Sequence, residues 1–323
     1  MHGGSFIGAI GKVPQYAEFV RIRPHGDLVS SFETWLASGL EWGHMRHGDA
    51  WRTNFEQGAV YAFVWTHRSQ PDMALCGIIA PSRDAVGRSY PITVFAVVPT
   101  ALFGDAPHAI PLAFGDFFDQ AYNVLHPASP GVPDSGRLAA PGALPFDQAL
   151  SWLQVPGYEA VAAAGTEYAN WCAGSAPEQA WLPLFAEGSK GAERALSMLA
   201  LTIEPFRGVE RPPTRLGARL SLGAGGAGAA VVWLDVIRRM ARWRGTVPAC
   251  FWSMQTRALL VHFGDVPQTT LAELWMPDSD NETLVPVDGT QAAHHAPHLT
   301  QWVGGAFRDA HSSFADVLHA LTS

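Results

Sequence analysis

The sequence has few cysteines and no long apolar run, and each shortage excludes a class of protein. The three cysteines, Cys76, Cys172 and Cys250, lie far apart and form no C-x-x-C pair. Neither a disulfide framework nor a zinc site is therefore expected, and a reducing compartment fits best. The longest apolar segment, Ala227 to Ile237, is interrupted by Asp235 and followed by two arginines, so no membrane-spanning helix is expected.

Charged residues are also scarce, at 15% of the 323 residues, whereas hydrophobic residues reach 48%. This balance is typical of a globular chain with a sizeable core and excludes an intrinsically disordered one. The formal net charge is −8, and no block of lysine or arginine occurs, which argues against binding to nucleic acid or to an anionic membrane. The N-terminal residues Met1 to Phe6 lack the basic and apolar regions of a signal peptide. We therefore expect a cytoplasmic protein.

Sequence motifs for catalysis are missing. The chain has no G-x-S-x-G nucleophile elbow, no Walker lysine loop and no H-R-D set. The letters of a dinucleotide fingerprint do occur at Gly223–Gly228, between a predicted strand and a predicted helix. However, the strand predicted after that helix, Cys250 to Met254, is not followed by the acidic residue that would bind a ribose. We expect a glycine-rich connector and no cofactor, and we keep a nucleotide-binding or other small-molecule enzyme as the alternative.

A histidine cluster near the C-terminus resembles a metal site only in part. His294, His295 and His298 form H-H-x-x-H, but the sequence lacks the glutamate of a zinc hydrolase. Pro297 prevents one helix from presenting His294 and His298 on the same face. We expect an exposed polar tail without a metal, and we expect no enzymatic activity.

Hydrophobic periodicity predicts an α+β protein with a largely antiparallel sheet flanked by helices and a second α/β portion in the C-terminal half. Three successive apolar runs, at 59–65, 76–80 and 92–98, predict an antiparallel meander. Residues 201–206 are also predicted to be a strand. The predicted organisation is an N-terminal domain at 1–125, a Pro/Gly-rich linker or insertion at 126–146, a helical segment and α/β portion at 147–287, and a tail at 288–323. We expect removal of this tail to leave the fold intact.

The loop between the second and third of these strands is dense in polar residues. It contains Ser82, Arg83, Asp84, Gly87 and Arg88. A glycine here predicts a turn with a positive φ, and the short polar side chains predict bonds to nearby backbone amides. Arg88 can bond internally to Asp84 or to a backbone carbonyl, or it can contact an acidic partner. We favour the internal bond, and the partner contact stays open.

Several segments together resemble one family, the type VI secretion-associated protein TagF, also called ImpM. The segment Gly77 to Thr93 parallels that family's G-x-x-x-P-S-x-D-x-x-G-R-x-x-P-L-T. The opening Gly11-Lys12-Val13-Pro14 with Phe19-Val20, the pairs Trp35-Leu36 and Gly39-Leu40, and the later Phe251-Trp252, Leu259-Leu260 and Leu271 to Leu274 are similar as well. The likeness extends from about Gly8 to Met276. One departure is Tyr16-Ala17-Glu18, where the family has arginine, glycine and aspartate.

The resemblance implies a compact α/β protein without catalysis. It also implies a post-translational repressor of secretion-apparatus assembly, which binds the forkhead-associated scaffold protein of the system. We take six residues as candidates for partner binding or for organising the loop: Lys12, Ser82, Arg83, Asp84, Gly87 and Arg88.

Overall fold

The computed structural model describes residues 5–125, 145–277, 282–288, 290, 297–309 and 313–322. Within these ranges the strands are β1 (Phe6–Gly11), β2 (Val20–Ile22), β3 (Tyr61–His67), β4 (Gln70–Ala80), β5 (Ile92–Pro99), β6 (Gly217–Ser221), β7 (Ala249–Ser253), β8 (Ala258–His262) and β9 (Leu284–Val287). The helices are α1 (Asp27–Glu56), α2 (Ile110–Ala113), α3 (Gly115–Leu125), α4 (Phe146–Leu150), α5 (Tyr158–Gly174), α6 (Pro177–Trp181), α7 (Ser189–Ile203), α8 (Gly226–Met240), α9 (Thr269–Trp275), α10 (Pro297–Asp309) and α11 (Phe314–Ala320).

The chain divides into two units. The first unit comprises Met1–Thr100, Phe114–Pro156 and Gln268–Ser279. The second comprises Ala101–Ala113, Gly157–Pro267 and Asp280–Ser323. The division into domains that the sequence suggested stays a prediction, since residues 126–144 of the predicted linker lie outside the described residues.

In the described part of the first unit, five strands form an antiparallel arrangement in the order β2-β1-β5-β4-β3. The predicted meander of three consecutive strands is confirmed as β3-β4-β5. Seven successive residues of β4, Ala74 to Ala80, are buried, which requires cover on both faces of the strand. Both α1 and α3 contact β4.

Aromatic packing fixes α1 on this sheet. Phe32 lies in the apolar stripe of α1 and is fully buried. Its ring centroid lies 5.2 Å from that of Phe63, 5.3 Å from that of Trp65 and 6.2 Å from that of Phe95. Aromatic pairs at these separations add to the hydrophobic gain from burial. The helix is longer than the predicted segment 29–43 and is kinked at Gly48, whose φ is +55°.

In the second unit the described strands follow the order β7-β8-β6-β9. The predicted hairpin at 249–263 is confirmed as β7 and β8, and β6 pairs with β8 antiparallel and with β9 parallel. Helix α8 leaves the end of β6, and its residues Ala229 to Ile237 are all buried. The α+β class expected from the sequence is therefore confirmed.

The expectation of an exposed tail is wrong for the described part of residues 288–323. Helix α10 buries Leu299 and Val303, and α11 buries Phe314, Val317 and Leu318. Within the second unit α10 contacts α7, and α11 contacts α5. The apolar residues of these helices recur every three or four positions, which builds one buried face.

The predicted strand at 201–206 is also wrong. Helix α7 continues to Ile203, and a 3-10 turn follows at Glu204–Phe206. The apolar residues Leu199, Ala200 and Ile203 are all buried on one face of this helix, so the local β-type composition is overridden by helical packing. Among the residues that the structure describes, no helix is both long and apolar enough to cross a membrane.

Candidate functional site

The polar segment between β4 and β5, residues 81–91, forms a small hairpin, called here the 81–91 loop. The backbone N–H of Tyr90 donates to the Ser82 carbonyl at 3.0 Å, and the N–H of Asp84 donates to the Arg88 carbonyl at 3.1 Å. The turn closes with the Gly87 N–H bonded to the Asp84 carbonyl at 3.0 Å. Gly87 has φ +86°, a conformation that residues with a side chain resist. The loop shape is therefore set by its backbone.

The carboxylate of Asp84 is the centre of this loop, and its side chain is fully buried. One oxygen, Oδ1, accepts the backbone N–H groups of Val86 at 3.1 Å and Arg88 at 2.8 Å. The other oxygen, Oδ2, accepts Arg88 Nε at 2.6 Å and lies 3.2 Å from Lys12 Nζ. Burial alone would raise the pKa of Asp84, but the bonds from Arg88 and Lys12 outweigh it and hold this pKa well below its usual range. Asp84 is therefore ionised at neutral pH.

A close approach between β1 and the loop brings Lys12 to this carboxylate. Strand β1 pairs with β5 in a register that sets Gly11 opposite Ile92. Gly11 has φ +138°, and a Cβ atom at this position would lie only 2.1 Å from the Pro91 carbonyl oxygen. A glycine is therefore needed for the chain after β1 to pass beside the loop.

The loop is also fastened to the segment that follows Lys12. Arg88 Nη2 donates to the Ala17 carbonyl at 2.6 Å, and the Ala85 N–H donates to the Tyr16 carbonyl at 2.9 Å. The internal bonds favoured for Arg88 from the sequence are thus present, to both a carboxylate and a backbone carbonyl. Its side chain is nevertheless 60% exposed, so the guanidinium also faces solvent.

Four side chains of this region reach outward, and we call them the loop surface: Tyr16, Arg83, Val86 and Arg88. Tyr16 is 37% exposed and Val86 is 65% exposed. Arg83 is exposed, and its side chain makes no hydrogen bond or ion pair with another described residue. Aromatic, aliphatic and arginine side chains held on a rigid turn suit a protein contact, because tyrosine and arginine dominate binding energy at interfaces.

A cleft of about 380 Å³ borders the loop on one side. The second half of α1 forms the opposite wall, and Ser89 Oγ donates across it to Glu56 Oε1 at 3.2 Å. The cleft is lined by Leu40, His44, Trp51, Arg52, Phe55, Glu56, Gly87, Arg88 and Ser89. The kink at Gly48 lies between His44 and Trp51, so residues from both segments of α1 line the cleft.

On its other side the loop rests on aromatic and charged residues near β2. The ring of Tyr90 meets that of Phe19 edge-on, with centroids 5.0 Å apart. Arg21 stacks over Phe19 and forms an ion pair with Glu33 of α1. Burial, together with the Glu33 charge, raises the pKa of Tyr90 to about 12, so its hydroxyl stays neutral. These contacts hold the base of the loop against α1.

The six predicted site residues thus have different positions. Lys12, Asp84 and Arg88 come together in one ion-pair group, and Gly87 makes the turn. Ser82 contributes its backbone carbonyl, whereas Arg83 extends from the surface.

Sequence reasoning missed the two carbonyls that hold the loop and the α1 wall of the cleft. Backbone carbonyls of Tyr16 and Ala17 carry no side-chain signature, so no motif could have indicated them. The α1 wall had a weak signal, because Trp51 and Phe55 continue the helical spacing of apolar residues beyond the predicted helix end.

The glycine-rich segment Gly223–Gly228 lies in the second unit, between β6 and α8. Three of its backbone N–H groups are bonded internally: Gly223 to Ser221 Oγ at 3.1 Å, Ala224 to the Pro183 carbonyl at 2.8 Å and Gly225 to the Leu222 carbonyl at 3.0 Å. A Cβ atom on Gly223 would lie 2.0 Å from the Pro183 oxygen. These three amides are not available to cradle a phosphate, and Gly223 serves a close backbone approach.

Of the predicted histidine cluster, only His298 can be placed, since His294 and His295 lie outside the described residues. His298 is exposed in the first turn of α10, which begins at Pro297. Across the described ranges, no group of three or more histidine, cysteine, aspartate or glutamate side chains is arranged to hold a metal ion.

Comparison with known proteins gives one family match. The model of the TagF N-terminal domain, described as type VI secretion system-associated, matches residues 8–131. This confirms the resemblance drawn from the loop and the N-terminal motif. The solved structure of PA0076 from Pseudomonas aeruginosa PAO1 is similar with a TM-score of 0.46 and 18% sequence identity, over 87% of this chain and 99% of that one. No curated protein matches the chain.

Proposed function

We propose that this chain, whose residues 8–131 belong to the TagF N-terminal domain family, is a cytoplasmic regulator of a type VI secretion system. It represses assembly of the apparatus after translation by binding a protein partner, the forkhead-associated scaffold protein. The proposed role needs no catalysis. The observation that carries it is the rigid, outward-facing loop surface, which lies inside the segment matched by the family model.

The loop surface has the properties that a binding surface requires. The Asp84 carboxylate and the backbone bonds fix the loop before any partner arrives, so little conformational entropy is lost on binding. Lys12 and Arg88 together carry one positive charge more than Asp84 neutralises, and Arg83 adds another. In a chain with formal charge −8, this local excess favours an acidic patch on the partner.

Arg83 allows the contact to be tested without disturbing the fold. Its side chain bonds to no other described residue, so Arg83→Ala is expected to leave the melting temperature unchanged. If Arg83 contacts the partner, the variant lowers affinity for the purified scaffold protein by about tenfold or more. Isothermal titration calorimetry measures the affinity of the full chain and of each variant for the purified scaffold protein.

Arg46→Ala is the matched control. Arg46 is also an exposed arginine of the first unit, but it follows the cleft residue His44 by two positions, which places it about 200° around α1. Its replacement is expected to leave binding unchanged. Equal affinity for wild type, Arg83→Ala and Arg46→Ala would contradict the loop surface as the contact, and absence of any binding would contradict the scaffold as partner.

The regulatory role has a separate test in cells. Deletion of the gene is expected to raise secretion of the tube protein of the system. Unchanged secretion in a strain with an active apparatus would contradict repression, whatever the binding result.

A further inference from the structure

A second concave site lies wholly within the second unit, away from the loop surface in sequence. It is a cleft of about 480 Å³ between the segment 103–108, helix α5, the end of α8 and helix α11. Volumes of about 300–1,000 Å³ are usual for small-molecule sites. The residues on which its chemistry depends are His108, Tyr158, Tyr168, Cys172 and Arg239.

A buried carboxylate, that of Asp235, binds two arginine side chains next to the cleft. Asp235 is fully buried, and its Oδ1 accepts Arg238 Nη2 at 2.8 Å, while its Oδ2 accepts Arg239 Nε at 2.9 Å. The Tyr168 hydroxyl also donates to Oδ2, at 3.3 Å. Both arginine side chains are about three-quarters buried, at 23% and 27% exposure. One aspartate therefore faces two guanidinium groups, which leaves an excess of one positive charge.

The other titratable groups of the cleft do not balance this charge. Burial lowers the pKa of His108 to about 4 and raises the pKa of the Cys172 thiol to about 11, so both groups are neutral at neutral pH. Asp105 also lines the cleft, but it is exposed, so water screens its charge. Among the described residues of the second unit, no buried carboxylate other than Asp235 is present to compensate the excess charge at Arg239.

Two kinds of donor point to a ligand. The Nη nitrogens of Arg239, which lines the cleft, donate to no other described residue. His108 is 9% exposed, and its buried Nδ1 has no hydrogen-bond partner in the part of the chain that the structure describes. A buried polar atom without a partner costs free energy, and a bound group that supplies the missing bond recovers it.

Part of the cleft wall is apolar. Phe103 and Leu318 are buried beside it, and the exposed ring of Tyr158 also lines it. The Tyr158 ring lies against Gly104, where an added Cβ atom would be 3.1 Å from it. Such walls suit the carbon skeleton of a ligand, while a planar guanidinium suits a two-oxygen anionic head.

We infer that this cleft binds a small organic monocarboxylate. Its carboxylate pairs with the terminal nitrogens of Arg239 and with His108, and its apolar body lies between Tyr158, Phe103 and Leu318. A monoanion matches the single excess charge, and this site acts independently of the proposed partner surface on the 81–91 loop.

Benzoate and benzamide are suitable probes, because they share a shape and differ in charge. Calorimetry or ligand-observed NMR with the full chain is expected to show saturable benzoate binding in the micromolar to millimolar range. Benzamide is expected to bind at least about tenfold more weakly. Arg239→Gln is expected to weaken benzoate by a similar factor, but this variant also removes a bond to Asp235.

A steric variant avoids that difficulty. Ala169→Trp fills the mouth from an exposed position of α5 that lines the cleft, so it is expected to abolish benzoate binding with the ion-pair cluster intact. Ala163→Trp, also exposed on α5 but outside the lining, is the control and is expected to bind benzoate normally.

Four results would overturn the inference: no saturable benzoate binding, equal affinity for benzamide, benzoate binding that survives Ala169→Trp, or tighter binding of inorganic phosphate or of an acidic peptide.

Discussion

Phe314 tests whether the C-terminal helices belong to the core of the second unit. The ring is fully buried, and its centroid lies 4.9 Å from that of Trp181 and 5.6 Å from that of Trp171. Replacement of a buried phenylalanine by alanine costs about 3–5 kcal/mol, from lost transfer free energy and the cavity left behind. The edge-on aromatic pairs place Phe314→Ala at the upper part of that range, about 4–5 kcal/mol.

Urea unfolding followed by the fluorescence of the twelve tryptophans measures this loss, because buried tryptophans such as Trp181 become exposed to water when the chain unfolds. Leu182→Ala is the control, since Leu182 is 52% exposed and its truncation is expected to cost less than about 1 kcal/mol. Truncation of the chain after residue 288 is expected to unfold the second unit. A change below about 1 kcal/mol for Phe314→Ala, with a fully folded truncated chain, would refute the reasoning and restore the view of an accessory tail.

Three further predictions concern the loop, the buried histidines and the glycine-rich turn. Arg88→Ala is expected to lower the free energy of unfolding, measured with urea, by only about 1 kcal/mol. The reason is that the guanidinium is largely exposed, although it bonds to a carboxylate and a carbonyl. A loss above about 3 kcal/mol would contradict this. Burial lowers the pKa of His108 to about 4 and that of His262 to about 3. Below about pH 6.5 these two histidines bind protons in the unfolded chain but not in the folded chain. The free energy of unfolding therefore falls from about pH 6.5 toward pH 4. Replacement of either histidine by glutamine is expected to make the free energy of unfolding depend less steeply on pH in this range. An unchanged dependence would contradict the assignment of the effect to that histidine. Gly223→Val is expected to lower the free energy of unfolding by more than about 2 kcal/mol, because φ is +50° and Pro183 blocks the side chain. Calorimetry is expected to show no binding of NAD, FAD or ATP to the wild type, and micromolar binding would contradict this.

The parts of the fold that could be predicted are those specified by neighbouring residues. The β3-β4-β5 meander follows from three apolar runs with short connections, and the turn at Gly87 follows from glycine and aspartate chemistry. Helix α10 was missed although Leu299, Val303 and Ala306 follow a helical period, because prolines and histidines before it suggested a loop. Strand β9 had no local signal, since four residues that include Pro286 become a strand only by pairing with β6.

The candidate site divides in the same way. Asp84 and Arg88 are four residues apart, so their bond could be expected from the turn alone. Lys12 reaches the same carboxylate only because the β1–β5 register and the positive φ of Gly11 bring the chain beside Pro91, and neither is visible in a local pattern. Arg83 is likewise exposed because the buried carboxylate of the loop, Asp84, is bound by other residues. Since Asp84 is saturated by Lys12, Arg88 and two backbone amides, no carboxylate in the loop remains for Arg83. Arg83, whose side chain has no bond to another described residue, is thus better placed than Lys12 or Arg88 to bind a partner.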